Sequence, residues 1–141
     1  GSYGIGAALL LYGLVALDRD LVSLCFLAAL YFYPCFDFVV SIGRRLRSGQ
    51  SITAPDNDHL HNRVHTFYKR HFRSKNMAKS ATGLSIAGMS SGLVLCFYMY
   101  DAIPLDSNQW VFVFITQCVI YAMVFIATGV RNRMYARLTA T

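Results

Sequence analysis

Glutamate is absent from this sequence of 141 residues, and seven aspartates supply all of its acidic side chains. Charged residues make up only 14% of the chain, whereas hydrophobic residues make up 55%. In an average soluble domain, about a quarter of the residues are charged. The shortage of charge therefore argues against a soluble domain and favours a membrane protein.

Lysine, arginine and aspartate are also missing from long parts of the chain. Four stretches contain none of these residues except Asp37: 1–17, 21–43, 80–100 and 107–130. Each is close to the ~20 residues that a helix needs to cross the hydrocarbon core of a bilayer. The sequence therefore predicts an all-α, polytopic integral membrane protein with four transmembrane helices and one long loop at 44–79.

Paired cysteines and an initiating methionine are two further absences. The four cysteines show no CxxC spacing and all lie in the uncharged stretches, at Cys25, Cys35, Cys96 and Cys118. We interpret them as buried free thiols rather than disulfides or zinc ligands. Because the chain begins without Met and without the charged segment of a signal peptide, we expect a partial sequence, with Gly1 and Ser2 either native or left by cloning.

The basic residues that are present have an uneven distribution. Nine of the 13 Lys and Arg residues lie in the loop 44–79, and three more lie in the tail after residue 130. The positive-inside rule then places the loop and the C-terminus in the cytoplasm. The net charge of +6 is thus a topology signal, which favours anionic membrane lipids as partners and not nucleic acid.

Small and aromatic residues mark the third and fourth predicted spans. Gly88 and Gly92 form a small-xxx-small pattern, which is typical of helices whose backbones approach closely. Tyr98, Tyr100 and Trp110 stand at the outer ends of these spans, as an interfacial aromatic belt requires.

Asp37 is the one charged residue inside a predicted span, three residues after Pro34. A carboxylate within a membrane is costly, so a functional role is the default hypothesis. Pro34 is expected to kink the helix and to free a backbone carbonyl. Two roles for Asp37 stay open, which are a structural salt bridge or packing contact and a direct contact with substrate.

The segment 44–63 is the densest polar region of the chain. Gly49 and Pro55 are expected to end the helix that leaves the membrane, and four polar residues follow closely: Asp58, His59, His61 and Arg63. Guanidinium groups bind phosphate oxygens through two hydrogen bonds, and imidazoles add orientable donors. The segment therefore predicts a diphosphate site, with a solvated juxtamembrane loop as the competing interpretation.

His59 and His61 also raise the question of zinc, with His65 one turn further on and Asp56 or Asp58 as another ligand. No cysteine lies nearby, and the surrounding Arg and Lys side chains would repel a cation, so we predict no metal site in this chain.

His65 and His71 are expected in an amphipathic interfacial helix whose aromatic residues face lipid, namely Phe67, Tyr68 and Phe72.

Several residues follow a recognisable order along the chain: Pro34, Asp37, Arg44, Arg45, Gly49, Ser51, Pro55, Asp56, His59, His61, Asn62 and Arg63. This order resembles the polyprenyl-phosphate N-acetylhexosamine-1-phosphate transferases. That membrane family includes the enzymes that initiate O-antigen and wall teichoic acid synthesis and, more distantly, the peptidoglycan translocase. The resemblance covers nearly all of this chain but only the C-terminal transmembrane part of such an enzyme. Gly1, Ser2 and Tyr3 also resemble the end of the family's Gly-Asp-x-Gly-Ser segment.

The resemblance implies a transferase of the bacterial inner membrane that acts in lipopolysaccharide or cell-wall biogenesis. Polyprenyl (undecaprenyl) phosphate would attack the β-phosphorus of a UDP-N-acetylhexosamine, so that the lipid receives sugar-1-phosphate and UMP leaves. The resemblance also implies Mg²⁺ as cofactor, held by acidic residues upstream of Gly1, so we expect the 141-residue chain alone to be inactive. Many members carry a third histidine at the position of Asn62.

Residue type and resemblance together assign six substrate-binding side chains. The diphosphate or sugar is assigned to His59 and His61, phosphate to Arg63, phosphate or lipid phosphate to Arg44 and Arg45, and the orientation of a histidine to Asp58. The alternative is a non-enzymatic membrane module or transporter fragment whose basic loop binds anionic lipid. The sequence leaves open the sugar, the polyprenyl chain and the presence of a homodimer.

Overall fold

The computed structural model describes residues 2–49, 51 and 58–138, and every regular element in this part of the chain is helical. The elements are α1 (Ser2–Asp18), α2 (Leu24–Leu30), α3 (Phe32–Arg47), α4 (Leu60–His71), α5 (Lys75–Ala87), a π-helical turn (Gly88–Gly92), α6 (Leu93–Met99) and α7 (Trp110–Leu138). The all-α prediction is confirmed for these residues. Gly1, Pro55 and Asp56, for which the sequence analysis predicts roles, lie outside the described residues.

Two helical segments of the described chain are long and apolar enough to cross a membrane, Lys75–Met99 and Trp110–Val130. The pair α2 and α3 gives a third span if it is one broken helix, because it is bent by 75° at the break between them. The apolar helix at Gly6–Asp18 is shorter. The described residues thus contain two or three candidate spans, where the sequence predicted four.

The break between α2 and α3 lies where the sequence predicted a kink. Pro34 has no N–H with which to bond the carbonyl four residues earlier, at Leu30. The first helix of the pair ends at Leu30, and Pro34 lies in the first turn of the second helix, where proline is tolerated. A count of apolar residues across 21–43 cannot detect this interruption, which explains why the sequence predicted one continuous span.

The chain divides into two compact units, of which unit 1 comprises Gly1–Phe32 and Ser90–Gln117. Its buried core consists of Ala29, Val94, Trp110 and Val113. The ring of Trp110 packs edge-on against Phe26, with ring centroids 5.0 Å apart, and its Nε1 donates to the carbonyl of Pro104 at 2.8 Å. Trp110 is therefore a core residue of unit 1, whereas Tyr98 and Tyr100 are exposed, and the interfacial aromatic belt stays a prediction.

The glycines of the third predicted span differ from the expectation. Gly88 and Gly92 bound a π-helical turn, and a Cβ atom added at Gly88 would meet no described atom within 4 Å. The close helix approach predicted at Gly88 is therefore not present among the described residues. The cysteines are free thiols as predicted, but Cys35 and Cys96 are exposed rather than buried.

Unit 2 comprises Tyr33–Met89 and Cys118–Thr141. Its α3 ends at Arg47, and Gly49 follows with φ of 66°, the left-handed conformation that commonly ends a helix. The predicted helix-ending role of Gly49 is thus confirmed.

The helix α4 is amphipathic, and its apolar side chains face other helices of unit 2. Val64 is buried, and the Tyr68 hydroxyl lies 2.8 Å from the Ser85 hydroxyl of α5. Together with residues of α5 and α7 they line a groove of about 290 Å³. Phe67 and Tyr68 thus line this groove with residues of α5 and α7, and their contact with lipid stays a prediction.

Candidate functional site

The carboxylate of Asp58 joins two arginines of unit 2. Arg44, near the end of α3, donates to Asp58 Oδ2 at 2.5 Å and to its backbone carbonyl at 2.6 Å. Arg63, in the first turn of α4, binds the same carboxylate through Nε at 2.6 Å and Nη2 at 2.5 Å. Such two-point binding fixes a guanidinium group in place. The carboxylate of Asp58 thus holds two guanidinium groups close together.

Arg63 is held on its other side by α7. Its guanidinium carbon lies 3.8 Å from the centre of the Phe125 ring, and its Nη1 donates to the Phe125 carbonyl at 3.3 Å. The guanidinium packs directly on Gly129, where any side chain would collide with it. Arg44 lies over the same Phe125 ring at 5.4 Å. One aromatic ring thus supports both arginines through cation–π contact.

Asp37 of α3 is buried, at 8% exposure, and its carboxylate oxygens contact three hydrogen-bonding groups. Its Oδ2 lies 2.7 Å from Nδ1 of His59, while its Oδ1 accepts the N–H of Leu60 at 3.1 Å and the hydroxyl of Tyr121 at 2.6 Å. A buried carboxylate is stabilised when its oxygens are satisfied in this way. Of the two roles that the sequence left open for Asp37, the structure shows the packing and hydrogen-bonding contacts.

The two histidines assigned to substrate lie side by side at the start of α4. Their rings are nearly parallel, at 11°, with centroids 5.7 Å apart. Nδ1 of His61 lies 3.5 Å from the Tyr33 hydroxyl, one helical turn before Asp37 on α3. In the described part of the chain, neither Nε2 atom has a hydrogen-bond partner, so both are available to a ligand.

The remaining assigned residues are placed as follows. Arg45 lies beside Arg44 in the last turn of α3, and its carbonyl accepts the Ser48 hydroxyl at 3.1 Å. Asp58 was predicted to orient a histidine; the contacts described here place it on Arg44 and Arg63. The carboxylate that contacts a histidine is Asp37.

Residues of α7 are the part of the site that sequence reasoning missed. Tyr121, Phe125 and Gly129 are spaced by four, so they lie on one helix face. The sequence does show a tyrosine and a glycine at this spacing within an apolar helix, and this pattern could have indicated a packed helix face. Nothing in one sequence indicates which residues such a face contacts.

A metal site finds no support among the described residues, which contain no group of three His, Cys, Asp or Glu side chains able to hold a metal ion. Asp56, considered as a zinc ligand, lies outside that part of the chain. The groups that lie around the N-terminus of the 12-residue α4 are instead two guanidinium groups and two imidazoles. A helix N-terminus also attracts negative charge.

Comparison with protein-family models, curated proteins and solved structures gave no match to this chain.

Proposed function

We propose that this chain supplies the nucleotide-sugar side of an active site that transfers sugar-1-phosphate from a UDP-N-acetylhexosamine to polyprenyl phosphate. The observation that carries the proposal is the gathering of His59, His61, Arg44 and Arg63 around the start of α4. Phosphoryl transfer needs positioning and charge neutralisation more than covalent help from the protein. Preorganised guanidinium and imidazole donors supply both.

The geometry suits a diphosphate better than a single charge. Two guanidinium groups share one carboxylate, and the five N–H donors of each guanidinium match the several oxygen atoms of a diphosphate. Two neighbouring imidazoles add donors at a fixed spacing. In the resembling family Mg²⁺ neutralises further charge, and the resemblance assigns its ligands upstream of Gly1. The described residues include no such set, so the proposed role of this chain is substrate binding and positioning.

The proposed topology has four spans, with the loop 44–79 and the C-terminus in the cytoplasm of a bacterial inner membrane. It is supported by two long apolar helices and the broken pair α2 and α3. Single cysteines at Ser51 and Asn108, in a protein whose four native cysteines are replaced by alanine, would test it. We expect an impermeant maleimide to label position 108 from outside intact cells. Labelling of position 51 instead would reverse the orientation.

Transfer activity is the direct test of the function. The assay uses membranes from cells that express the full open reading frame. We expect His59→Ala and His61→Ala to lower UMP release on the order of 100-fold, since each removes one preorganised donor. His65→Ala and His71→Ala are matched controls on the same helix. Nδ1 of His65 lies 3.5 Å from the Thr82 hydroxyl, and exposed His71 bonds the Phe67 carbonyl of its own helix.

Wild-type rates in both His59→Ala and His61→Ala, at equal expression, would remove this loop from the active site. The alternative function, a membrane module that binds anionic lipid, is then examined with vesicles. Binding to vesicles that contain phosphatidylglycerol, together with no binding of UDP-N-acetylglucosamine or UDP-N-acetylgalactosamine, would favour that module.

A further inference from the structure

We infer that Asp37 is a positioning residue that keeps a proton on Nδ1 of His59, so that His59 presents Nε2 to an anionic ligand. Tyr121 supports this arrangement from α7. The identity of the ligand rests on the proposed function. The position of the proton rests only on the contacts of Asp37.

The direction of the hydrogen bonds around Asp37 follows from its partners. The backbone N–H of Leu60 can only donate, and it donates to Oδ1 at 3.1 Å. The Tyr121 hydroxyl shares the same oxygen at 2.6 Å. This leaves Oδ2 for His59, at 2.7 Å. An imidazole is a stronger base than a carboxylate, so the proton between them belongs to Nδ1, and Asp37 accepts all three bonds.

The same carboxylate also fixes the backbone at the start of α4. His59 is the N-cap residue of that helix, but its side chain makes no capping bond there. Asp37 serves instead, by accepting the first N–H of the helix from Leu60. The ring of His59 and the residue next to it are thus held by one carboxylate. Rotation of the ring would break a bond to a buried group, which is costly.

His61 provides an internal contrast. Its Nδ1 lies 3.5 Å from the Tyr33 hydroxyl, at the limit of a hydrogen bond, and a hydroxyl can donate or accept. The proton position on His61 is therefore free to adapt. Of the two stacked rings, His59 is the one with a defined tautomer.

The defined tautomer decides what His59 offers to the nucleotide sugar. In the neutral ring, a proton on Nδ1 leaves Nε2 as an acceptor, which suits a sugar hydroxyl. In the charged ring both nitrogens donate, so the same orientation suits a phosphate oxygen. In either form the bond to Asp37 fixes the ring, as a carboxylate behind a functional histidine does in other enzymes.

Asp37→Asn gives a sharp test because it keeps the shape of the side chain and replaces one acceptor oxygen by an N–H donor. The amide oxygen should stay toward Leu60 and Tyr121, which both donate. The amide nitrogen then faces Nδ1 of His59 and donates to it, so the proton of the neutral ring moves to Nε2. We expect ¹⁵N NMR of histidine-labelled protein in bilayers to show this exchange of protonated nitrogen. The chain has four histidines, so His59→Gln suffices to assign the signal.

Binding provides the second measurement. Asp37→Asn should weaken binding of the UDP-N-acetylhexosamine probe about 10-fold or more, the usual effect of losing a group that orients a functional histidine. Tyr121→Phe removes one donor and keeps the carboxylate, so it should leave the tautomer unchanged and weaken binding less. Cys35→Ala, exposed and two residues away on α3, is the control and should change neither.

The outcomes separate this inference from the proposed function. A wild-type His59 with its proton on Nε2, or an unchanged tautomer in Asp37→Asn with helix content retained, overturns the inference whatever the binding data show. If Asp37→Asn does not fold, the wild-type and Tyr121→Phe spectra decide the same question. If wild type binds neither UDP-sugar probe, the proposed function fails, while the tautomer measurement still decides the role of Asp37.

Discussion

In unit 1 the buried side chain of Gln117 binds backbone carbonyls, whereas in unit 2 the buried carboxylate of Asp37 binds other side chains. Gln117, fully buried in unit 1, donates from Nε2 to the carbonyls of Ala29 at 3.1 Å and Ser90 at 3.0 Å. Asp37, buried in unit 2, instead forms hydrogen bonds with the side chains of His59 and Tyr121.

The difference shows what each polar group does. Helix ends and π-helical turns leave carbonyls without helical partners, and an amide or indole donor satisfies them. Such contacts stabilise a fold and leave little for a ligand. Side chains that bind each other near the surface can instead present their remaining donors outward. The comparison therefore predicts a stabilising role for Gln117 in unit 1 and, under the proposed function, a ligand-binding role for the site residues of unit 2.

The largest expected effect comes from Arg63→Ala in unit 2. Arg63 has both a fixed position and surplus donors, so its loss should lower UMP release on the order of 100-fold per folded molecule. Gln117→Leu in unit 1 is the counterpart and should leave that specific rate unchanged. The assay compares UMP release in membranes after normalisation to folded protein. Equal rates for Arg63→Ala and wild type would end the functional assignment of unit 2.

Several site residues could be predicted because they are close in sequence. Asp58 and Arg63 are five residues apart and contact each other directly. Arg44 was predicted from its charge at the membrane boundary, and it contacts Asp58 from the neighbouring helix. Short separations and membrane-edge charge patterns are readable from one chain.

The contacts of α7 could not be predicted in this way. Tyr121 reaches Asp37 across 84 residues of sequence, and Phe125 reaches Arg63 across 62. Long-range pairs depend on how helices pack, which hydropathy does not specify. For the same reason the sequence predicted a kink near Pro34 but not that it would divide the stretch into α2 and α3, bent by 75°.

A smaller loss of binding is expected from Gly129→Ala. The added methyl group collides with the guanidinium of Arg63, so the end of that side chain must shift from its position over Phe125. We expect about 10-fold weaker binding of the UDP-sugar, the scale for a group that supports a binding residue. Alanine favours a helix over glycine, so helix content should persist. Gly83→Ala, where an added Cβ atom meets nothing within 4 Å, is the matched control.

Either of two results would contradict this prediction. Unchanged affinity in Gly129→Ala would show that the position of Arg63 on Phe125 does not matter for binding. An equal loss of UDP-sugar affinity in Gly83→Ala would show that any Gly→Ala change in a helix has this effect, whatever it contacts.

Gln117→Leu should reduce stability without altering the site of unit 2. It removes the donors to two buried carbonyls, which should cost about 2 kcal/mol. The partial compensation is that Gln117 Oε1, buried without a hydrogen-bond partner, is removed as well. Unfolding in mixed micelles with increasing SDS can be followed by the fluorescence of Trp110, the single tryptophan, in the core of unit 1. Thr116→Val is the control, because its hydroxyl bonds only Phe112 within its own helix. A loss of UDP-sugar affinity in Gln117→Leu would contradict the division of roles between the two units.

The smallest expected effect is that of Ser23→Ala at the start of α2. The Ser23 hydroxyl caps this helix by accepting the N–H of Phe26 at 3.0 Å, and it donates to the Ser107 carbonyl at 2.9 Å. Loss of a serine N-cap typically costs about 1 kcal/mol, and the same Trp110 fluorescence measures it. Ser23→Thr keeps a hydroxyl that can make both bonds, so it should retain most of the wild-type stability. If Ser23→Thr and Ser23→Ala lower the stability of the protein equally, the hydroxyl contributes nothing, and tight packing around Ser23 is what stabilises this end of α2. If Ala alone destabilises and UDP-sugar affinity is unchanged in both variants, polar contacts to backbone in unit 1 act on stability only, as the comparison of the two units requires.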